Sequence, residues 1–402
     1  MTLLSIGDQI RPGTYRFHSR FERVVNFEHE GRLIAVVDEA IGPGPLNIVL
    51  RDLRFIRAQG HAEPAPSILK GLNPSAQGWI APPFPGDPTL GKGPRKAPNP
   101  EGVESRPPFG SLLQVSPSTV LFGGRRYHYT ARHRYDSALD LAVMMQSPSA
   151  LLSRGDAMDA KRQGRSRTAR SVWSASSLLA LSSKVRRFES GSKLHALQTL
   201  RAAVHLQIAS RLVHNLSVLG DSLKEAAPAK SLAFLLDGKR RKSFRAGFER
   251  AFARQITRGV REVFHGRLLQ GIRQLKGCGL GLTPAGDDFI AGFLIGLHVL
   301  QELRGQDMQS TADAVFRAVR GKNIFSNTFL DLARRGLLFG RLKDLLLALV
   351  SGSEGSVRKA AGKLFGIGET SGADLATGLF ITLQSCWQPL AAAQLTRKLR
   401  GL

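Results

Sequence analysis

Two glycine-led helix starts, set well apart in a chain of 402 residues, constrain its fold more than any other feature. Residues 277–292 read GCGLGLTPAGDDFIAG, and residues 366–378 read GIGETSGADLATG. Gly277, Gly279 and Gly281 permit backbone conformations closed to other residues and let the chain approach a ligand closely. Thr283 before Pro284 reads as an N-cap followed by proline in the first helical position, so a helix is expected to begin there. The second segment repeats the design, with Thr370 and Ser371 as cap candidates ahead of Gly372 and Asp374. Aligning Gly286 with Gly372 also pairs Asp288 with Asp374 and Gly292 with Gly378, so both segments share the spacing G-x-D-x-x-x-G. Two such helix starts are expected to face one pocket.

The chemistry follows from the residue types. Free N–H groups around Ala285 to Asp287 at a helix start form an anion site. Asp287 and Asp288 could hold a hard cation such as magnesium through oxygen ligands. Asp287, Asp288 and Asp374 are therefore the catalytic candidates, and Asp287 and Asp288 are also the metal-ligand candidates. Gly279, Gly281, Thr283, Gly286, Thr370, Ser371 and Gly372 are the substrate-binding candidates of the loops. A plainer reading stands beside this one. A glycine-rich loop before an apolar helix is an ordinary way into a core helix, and acidic residues in a first turn are favoured by the helix dipole alone.

The G-L-G-x-G-L-T-P-[SA]-G-D-D-F pattern, here GCGLGLTPAGDDF at 277–289, and the G-x-[ST]-S-G-A-D pattern, here GETSGAD at 368–374, resemble the AllH family, a subunit associated with oxamate carbamoyltransferase in allantoin breakdown. The N-terminal region resembles it too, through His18 and Ser19, Val25 and Asn26, Gly31 to Leu33, and the run from Gly42 to Ile48. SNTFLDLARRG at 326–336 resembles the family's segment between the loops. The resemblance spans roughly residues 5–55 and 265–385. It adds His18, Asn47 and Ser326 to the substrate-binding candidates. The chain departs from the pattern at Glu369, where relatives often carry histidine, and at Ala285, where serine is common. The resemblance implies a subunit binding an anionic small molecule, carbamoyl phosphate or a carboxylate such as oxamate, in support of carbamoyl transfer with partner subunits.

Composition sets outer bounds. Two cysteines, Cys278 and Cys386, are too few for a disulfide scaffold and fit a reducing cytoplasm. The start MTLLSIGDQIRPG lacks the charged head and apolar core of a signal peptide, and no window approaches a bilayer span. A cytoplasmic protein with no membrane partner is expected. The formal net charge of +26 gives the alternative reading, a nucleic-acid-associated or scaffolding protein, since such a field attracts polyanions. The excess concentrates at 161–187 and 239–276. In the second, Phe248, Phe252, Ile256, Val260 and Phe264 recur at helical spacing, with Arg250, Arg254, Arg258 and Arg261 opposite. A solvated basic face is the commoner explanation, because no nucleic-acid-binding signature accompanies it.

Along the chain, TYRFHSRFERVVNF, RLIAVVDEA and LNIVLRDLRFI read as strands, and STVLFGGRRYHYT as a returning strand. From Asp136 the pattern turns helical, SLAFLLDG included. The expected class is α+β: a β-rich N-terminal domain over 1–135, with a Pro/Gly-rich excursion at about 60–118, then a mainly helical C-terminal domain over 136–402 carrying both loops.

Overall fold

The computed structural model describes residues 1–51, 53, 112–141 and 211–387, with the side chains of 386 and 387 excepted. Most of the proline-rich stretch, the basic segment 161–187 and the helices expected between 142 and 210 lie outside the described residues.

Short alternating segments at the N-terminal side form one curled sheet. Its strands are β1 (Thr2–Gly7), β2 (Gly13–Phe21), β3 (Val24–His29), β4 (Arg32–Asp38), β5 (Asn47–Arg51), β6 (Leu112–Val115), β7 (Thr119–Phe122), β8 (Arg125–His128) and β9 (Arg134–Tyr135). They lie in the order β8-β7-β6-β2-β3-β4-β5-β1-β9. The pairing is antiparallel except for β4 with β5 and β1 with β9. The curl brings β1 near β8, where the Tyr127 hydroxyl donates to Met1 Sδ at 3.2 Å. Phe27, Ile34, Val36, Ile48, Leu50, Leu113 and Val120 fill the inside of the curl. Leu33, Ala35 and Val37 alternate with Ile34 and Val36 and so point to the other face, since successive strand residues change sides.

Two expectations change here. STVLFGGRRYHYT is a hairpin, β7 and β8, because Gly123 (φ 59°) and Gly124 (φ 73°) take the two positive-φ positions of a tight turn. Thr2–Gly7, not among the strands named from the sequence, forms β1 and pairs with both β5 and β9.

The helices are α1 (Gly247–Phe264), α2 (Leu268–Leu275), α3 (Ala285–Arg304), α4 (Gln309–Val319), α5 (Ile324–Arg334), α6 (Gly340–Ser351), α7 (Glu354–Phe365) and α8 (Ser371–Trp387), with further helix over 211–226. The architecture is α+β, as the residue patterns imply. SLAFLLDG is not an α-helix but a 3-10 turn at Leu232–Leu235, and Asp237 then caps the next turn by accepting the Lys239 N–H at 2.9 Å. On α1 the buried face is Ala253, Ile256, Thr257, Val260 and Val263, while Arg250, Arg254 and Arg258 are exposed. Phe248 is also exposed, at 55 %, against expectation. A repeat of four drifts about 40° per step from a 3.6-residue turn, which carries Phe248 off the apolar stripe.

Residues 286–300 of α3 are all buried, as a helix apolar on every side must be. The sheet docks onto the helices through backbone bonds, with the Gly340 N–H donating to the Pro43 carbonyl at 2.9 Å and the Leu338 N–H to the Ser137 carbonyl at 2.8 Å. The Asp8 carboxylate accepts from the Ser137 hydroxyl at 2.8 Å, and β4 meets α5.

Candidate functional site

The two glycine segments form one duplicated unit. In the first, the Cys278 N–H donates to the Leu275 carbonyl at the end of α2, and the Gly286 N–H donates back to the Cys278 carbonyl. In the second, the Ile367 N–H donates to the Leu364 carbonyl at the end of α7, and the Gly372 N–H donates to the Ile367 carbonyl. A Cβ on Gly286 would overlap the Leu275 carbonyl, and one on Gly372 the Leu364 carbonyl. The two helices that follow, α3 and α8, then cross in reciprocal contact. A Cβ on Gly292 would overlap the Leu375 carbonyl, while one on Gly378 would overlap the Phe289 carbonyl. Phe289 and Leu375 are equivalent under the same alignment that pairs Gly292 with Gly378. Such exchange of partners is the mark of a two-fold relation. The glycines of the shared spacing are thus close-packing positions.

This crossing brings the helix starts together. Thr283 Oγ1 lies 3.4 Å from Ser371 Oγ and donates to Asp288 Oδ2 at 3.3 Å. All three aspartates are buried, Asp287 at 4 %, Asp288 at 1 % and Asp374 at 0 % exposure. Asp287 accepts the Gly277 N–H at 2.7 Å, so it braces the first loop. Asp374 Oδ1 accepts the Leu232 N–H at 2.6 Å from the 3-10 turn. Its Oδ2 has no hydrogen-bond partner among the described residues. Burial pushes the Asp374 carboxyl up to about 7, against the pull of the Leu232 N–H and the nearby Thr370 hydroxyl. Burial also raises Asp288 well above the usual carboxylate range, and the Asp374 charge adds to it, while Ser371 and Thr283 pull the other way. Asp287 is raised by burial and moderated by Gly277, Ser326 and Lys276. Burial thus shifts all three carboxyls toward their protonated form, Asp374 the one raised to about 7.

The surroundings join sheet to loops. Asn323 caps α5 by accepting the Phe325 and Ser326 N–H groups, and its Nδ2 donates to the Leu282 carbonyl at 2.8 Å. Ser326 is buried near Asp287, with its Oγ left without a partner among the described residues. The His18 ring meets the Phe325 ring edge-on at 5.2 Å, and His18 Nδ1 lies 3.1 Å from Ser19 Oγ, which also accepts from Asn26 Nδ2 at 3.1 Å. His18, Ser326, Thr283, Ser371 and the aspartates thus lie along one continuous run of contacts. Asn47 sits further along the same sheet row, Ser19–Asn26–Ala35–Asn47, and its Nδ2 braces a turn by donating to the Gly42 carbonyl at 3.2 Å. Asn323 and the Leu232 N–H escaped the sequence reading. An asparagine ahead of the helix IFSNTFLDLAR was a readable cap signal; a backbone N–H from a distant turn carries none.

Three local expectations are corrected. α3 begins at Ala285 with Pro284 in the capping slot, because Pro284 is extended (ψ 145°) and its carbonyl accepts the Asp287 and Asp288 N–H groups. Thr283 turns its hydroxyl to Asp288 instead. The N–H groups of Gly286 and Asp287 are already bonded within the protein, so the expected anion cradle is not open at Ala285 to Asp287. The free amides lie one turn earlier, where the N–H groups of residues 279–283 make no hydrogen bond among the described residues and Gly279 (φ 119°) and Gly281 (φ 102°) arch the loop.

The donor set fits a metal poorly. Asp287 and Asp288 are held by N–H and O–H donors, and among the described residues no group of three His, Cys, Asp or Glu is placed to hold an ion. Cys278 is buried, and burial together with Asp287 pushes its thiol up to about 12, which removes it as a nucleophile near neutral pH. No described helix is long and apolar enough to cross a membrane.

The site therefore belongs to a class in which a duplicated helix–loop–helix presents hydroxyls and buried carboxyls at one crossing. Residues 275–383 match the family model described as oxamate carbamoyltransferase subunit AllH, and that match supports an AllH-like family. It spans both loops, α3 and most of α8, and leaves the sheet outside. No curated protein and no solved structure matches the chain.

Proposed function

We propose that this chain is an AllH-like subunit of a carbamoyl-transferring assembly, and that it holds a small anionic ligand where the two glycine loops converge. Carbamoyl phosphate and carboxylates such as oxamate are the ligands this reading names. The observation that carries the reading is the approach of Thr283 and Ser371 to 3.4 Å above the buried Asp288–Asp374 pair. In this reading the free amides of residues 279–283 and the two hydroxyls hold the phosphate or carboxylate. The Asp288 carboxyl, shifted by burial toward its protonated form, faces a ligand oxygen, and Asp374 forms the opposite wall. Transfer then gains from alignment and from donors fixed in place, with no covalent intermediate on the protein. Partner subunits complete the assembly. A thermal-shift titration with carbamoyl phosphate, oxamate and pyruvate, with and without magnesium, tests it. A rise in melting temperature with oxamate or carbamoyl phosphate is the expected result, and no rise with either would overturn the reading.

One observation favours a second reading, a nucleic-acid-associated or scaffolding role. Arg250, Arg254 and Arg258 are exposed along α1 beside an exposed Phe248. RNA binding that falls steeply with salt, together with no effect of the small acids, would select it.

A further inference from the structure

The first glycine loop is tied at both ends to one segment outside the duplicated unit. That segment, residues 320–323, joins α4 to α5. Where the loop leaves α2, Lys276 Nζ donates to the Arg320 carbonyl at 3.0 Å. Gly321 is pinned to α5 through both of its backbone groups: its N–H donates to Asn327 Oδ1 at 2.9 Å, and its carbonyl accepts from Asn327 Nδ2 at 2.7 Å. Asn323 holds the far end of the loop. Its Oδ1 accepts the Phe325 and Ser326 N–H groups at 3.0 and 3.2 Å, which leaves the nitrogen as the other amide atom. That nitrogen donates to the Leu282 carbonyl at 2.8 Å.

The Leu282 carbonyl and the Thr283 N–H belong to one planar trans peptide and point to opposite sides of it. Holding the carbonyl toward Asn323 therefore turns the Thr283 N–H, one of the free amides, away from Asn323. It also sets where the Thr283 hydroxyl lies relative to Asp288 and Ser371. Gly279 and Gly281, both at positive φ, give the arch little stiffness of its own. We propose that Asn323 is the positioning residue of the converged loops: one side chain caps α5 and, through Leu282, keeps the arched amides in the shape that receives an anion. This rests on the reading of the loops as an anion site and adds the group that keeps that site assembled. Without the donor the loop adopts the receiving shape only part of the time, and the apparent affinity falls by that fraction.

Serine at position 323 separates the two duties, because its hydroxyl still caps the helix and offers no second group to Leu282. Calorimetric titration of the full chain with oxamate and with inorganic phosphate provides the first measurement. Asn323→Ser is expected to bind roughly fivefold or more weakly whichever of these the unaltered protein binds. Its melting temperature without ligand should stay within about 2 °C. Thermolysin, which cuts ahead of leucine, should cleave at Leu280 or Leu282 faster by at least the same factor, and saturating anion should slow the cut again. Should serine lower the melting temperature further, Asn323→Asp, a cap of equal strength without the donor, repeats the cleavage measurement. Unchanged cleavage, or affinity within about twofold, overturns the role of Asn323 and leaves the anion site standing. A lower melting temperature in both variants with no faster cut at the loop reduces Asn323 to a helix cap and overturns the role as well. Binding of neither anion by the unaltered protein overturns the reading of the site, and the positioning role with it.

Discussion

The two arms of the duplicated unit share a backbone frame and differ in what they carry on it. Both run from a helix end, Leu275 or Leu364, through a residue that closes the loop, Cys278 or Ile367, to a glycine packed on that helix end. The first loop is longer between the closing residue and that glycine. It also bears Leu280 and Leu282, exposed at 61 % and 41 %, and it adds Asp287 where the second arm has Ala373. The second arm has its own asymmetric feature, Ser371 opposite Ala285. The shared parts are glycines and backbone bonds that set how closely α3 and α8 approach. The differing parts are side chains with chemistry. A duplicated frame thus holds two helix starts in register while each arm diverges toward a separate task.

The largest effect should come from breaking the frame itself. Valine at Gly292 or Gly378 places a Cβ within the carbonyl of the opposite helix, a contact with backbone that no rotamer change relieves. Each substitution is expected to cost roughly 3 kcal/mol or more, beyond the usual overpacking range, and the two should be alike because the contacts are reciprocal. Denaturant unfolding measures both. A tolerated valine in one arm beside a lethal one in the other would break the two-fold relation.

Protonation comes next. The folded-state carboxyl of Asp374 is raised to about 7 from 3.8, so the native state binds more protons than the unfolded chain between those values. The stability it contributes is therefore full at about pH 4 and is lost as pH rises toward 7, with a slope of at most about 1.4 kcal/mol per pH unit for one group. Asp288 is raised in the same sense and acts in the same direction. Urea midpoints measured from pH 4 to 8 should fall across this window, and Asp374→Asn should flatten the fall. Stability that rises across the window would show the carboxyls ionised and paired, with charge rather than a proton at the crossing.

The comparison sharpens at Asp288. A carboxyl and a carboxamide have similar shape, so Asp288→Asn should leave the denaturation midpoint within about 1 kcal/mol, and under the proposed function it should lower carbamoyl transfer roughly 100-fold or more. Undiminished transfer would return Asp288 to the role of a brace, as Asp287 is for Gly277.

How much of this was legible depends on what leaves a trace in side chains. G-x-D-x-x-x-G was readable in both arms because close helix approach demands glycine, and RLIAVVDEA was readable as a strand because its apolar run Leu33–Val37 suits a strand buried on both faces. The hairpin at Gly123–Gly124 was readable too and was passed over in favour of one longer strand. What no pattern revealed was backbone meeting backbone. The Cys278 carbonyl takes the Gly286 N–H, which closes the place where an anion was expected, and the Leu232 N–H reaches Asp374 from a turn 142 residues away. Neither Cys278 nor Leu232 is required there by its side chain. The burial of all three aspartates was hidden for a related reason, since paired carboxylates at a helix start read the same whether they face solvent or the opposite helix.

The smallest effect isolates the added length of the first loop. Leu280 and Leu282 stand on an arched segment whose amides are free, and the second arm has nothing like them. Exposed side chains contribute little to folding, so Leu280→Ser should shift stability by no more than about 0.5 kcal/mol in the isolated chain. The same change should leave the reciprocal glycine contacts untouched, because they lie a full turn or more inside α3 and α8. Unfolding curves of the single variant and of its combination with Gly378→Ala should then add within about 0.5 kcal/mol. A larger cost, or a failure to add, would mean that the loop tip is packed against the rest of the protein and belongs to the frame rather than to what the first arm alone acquired.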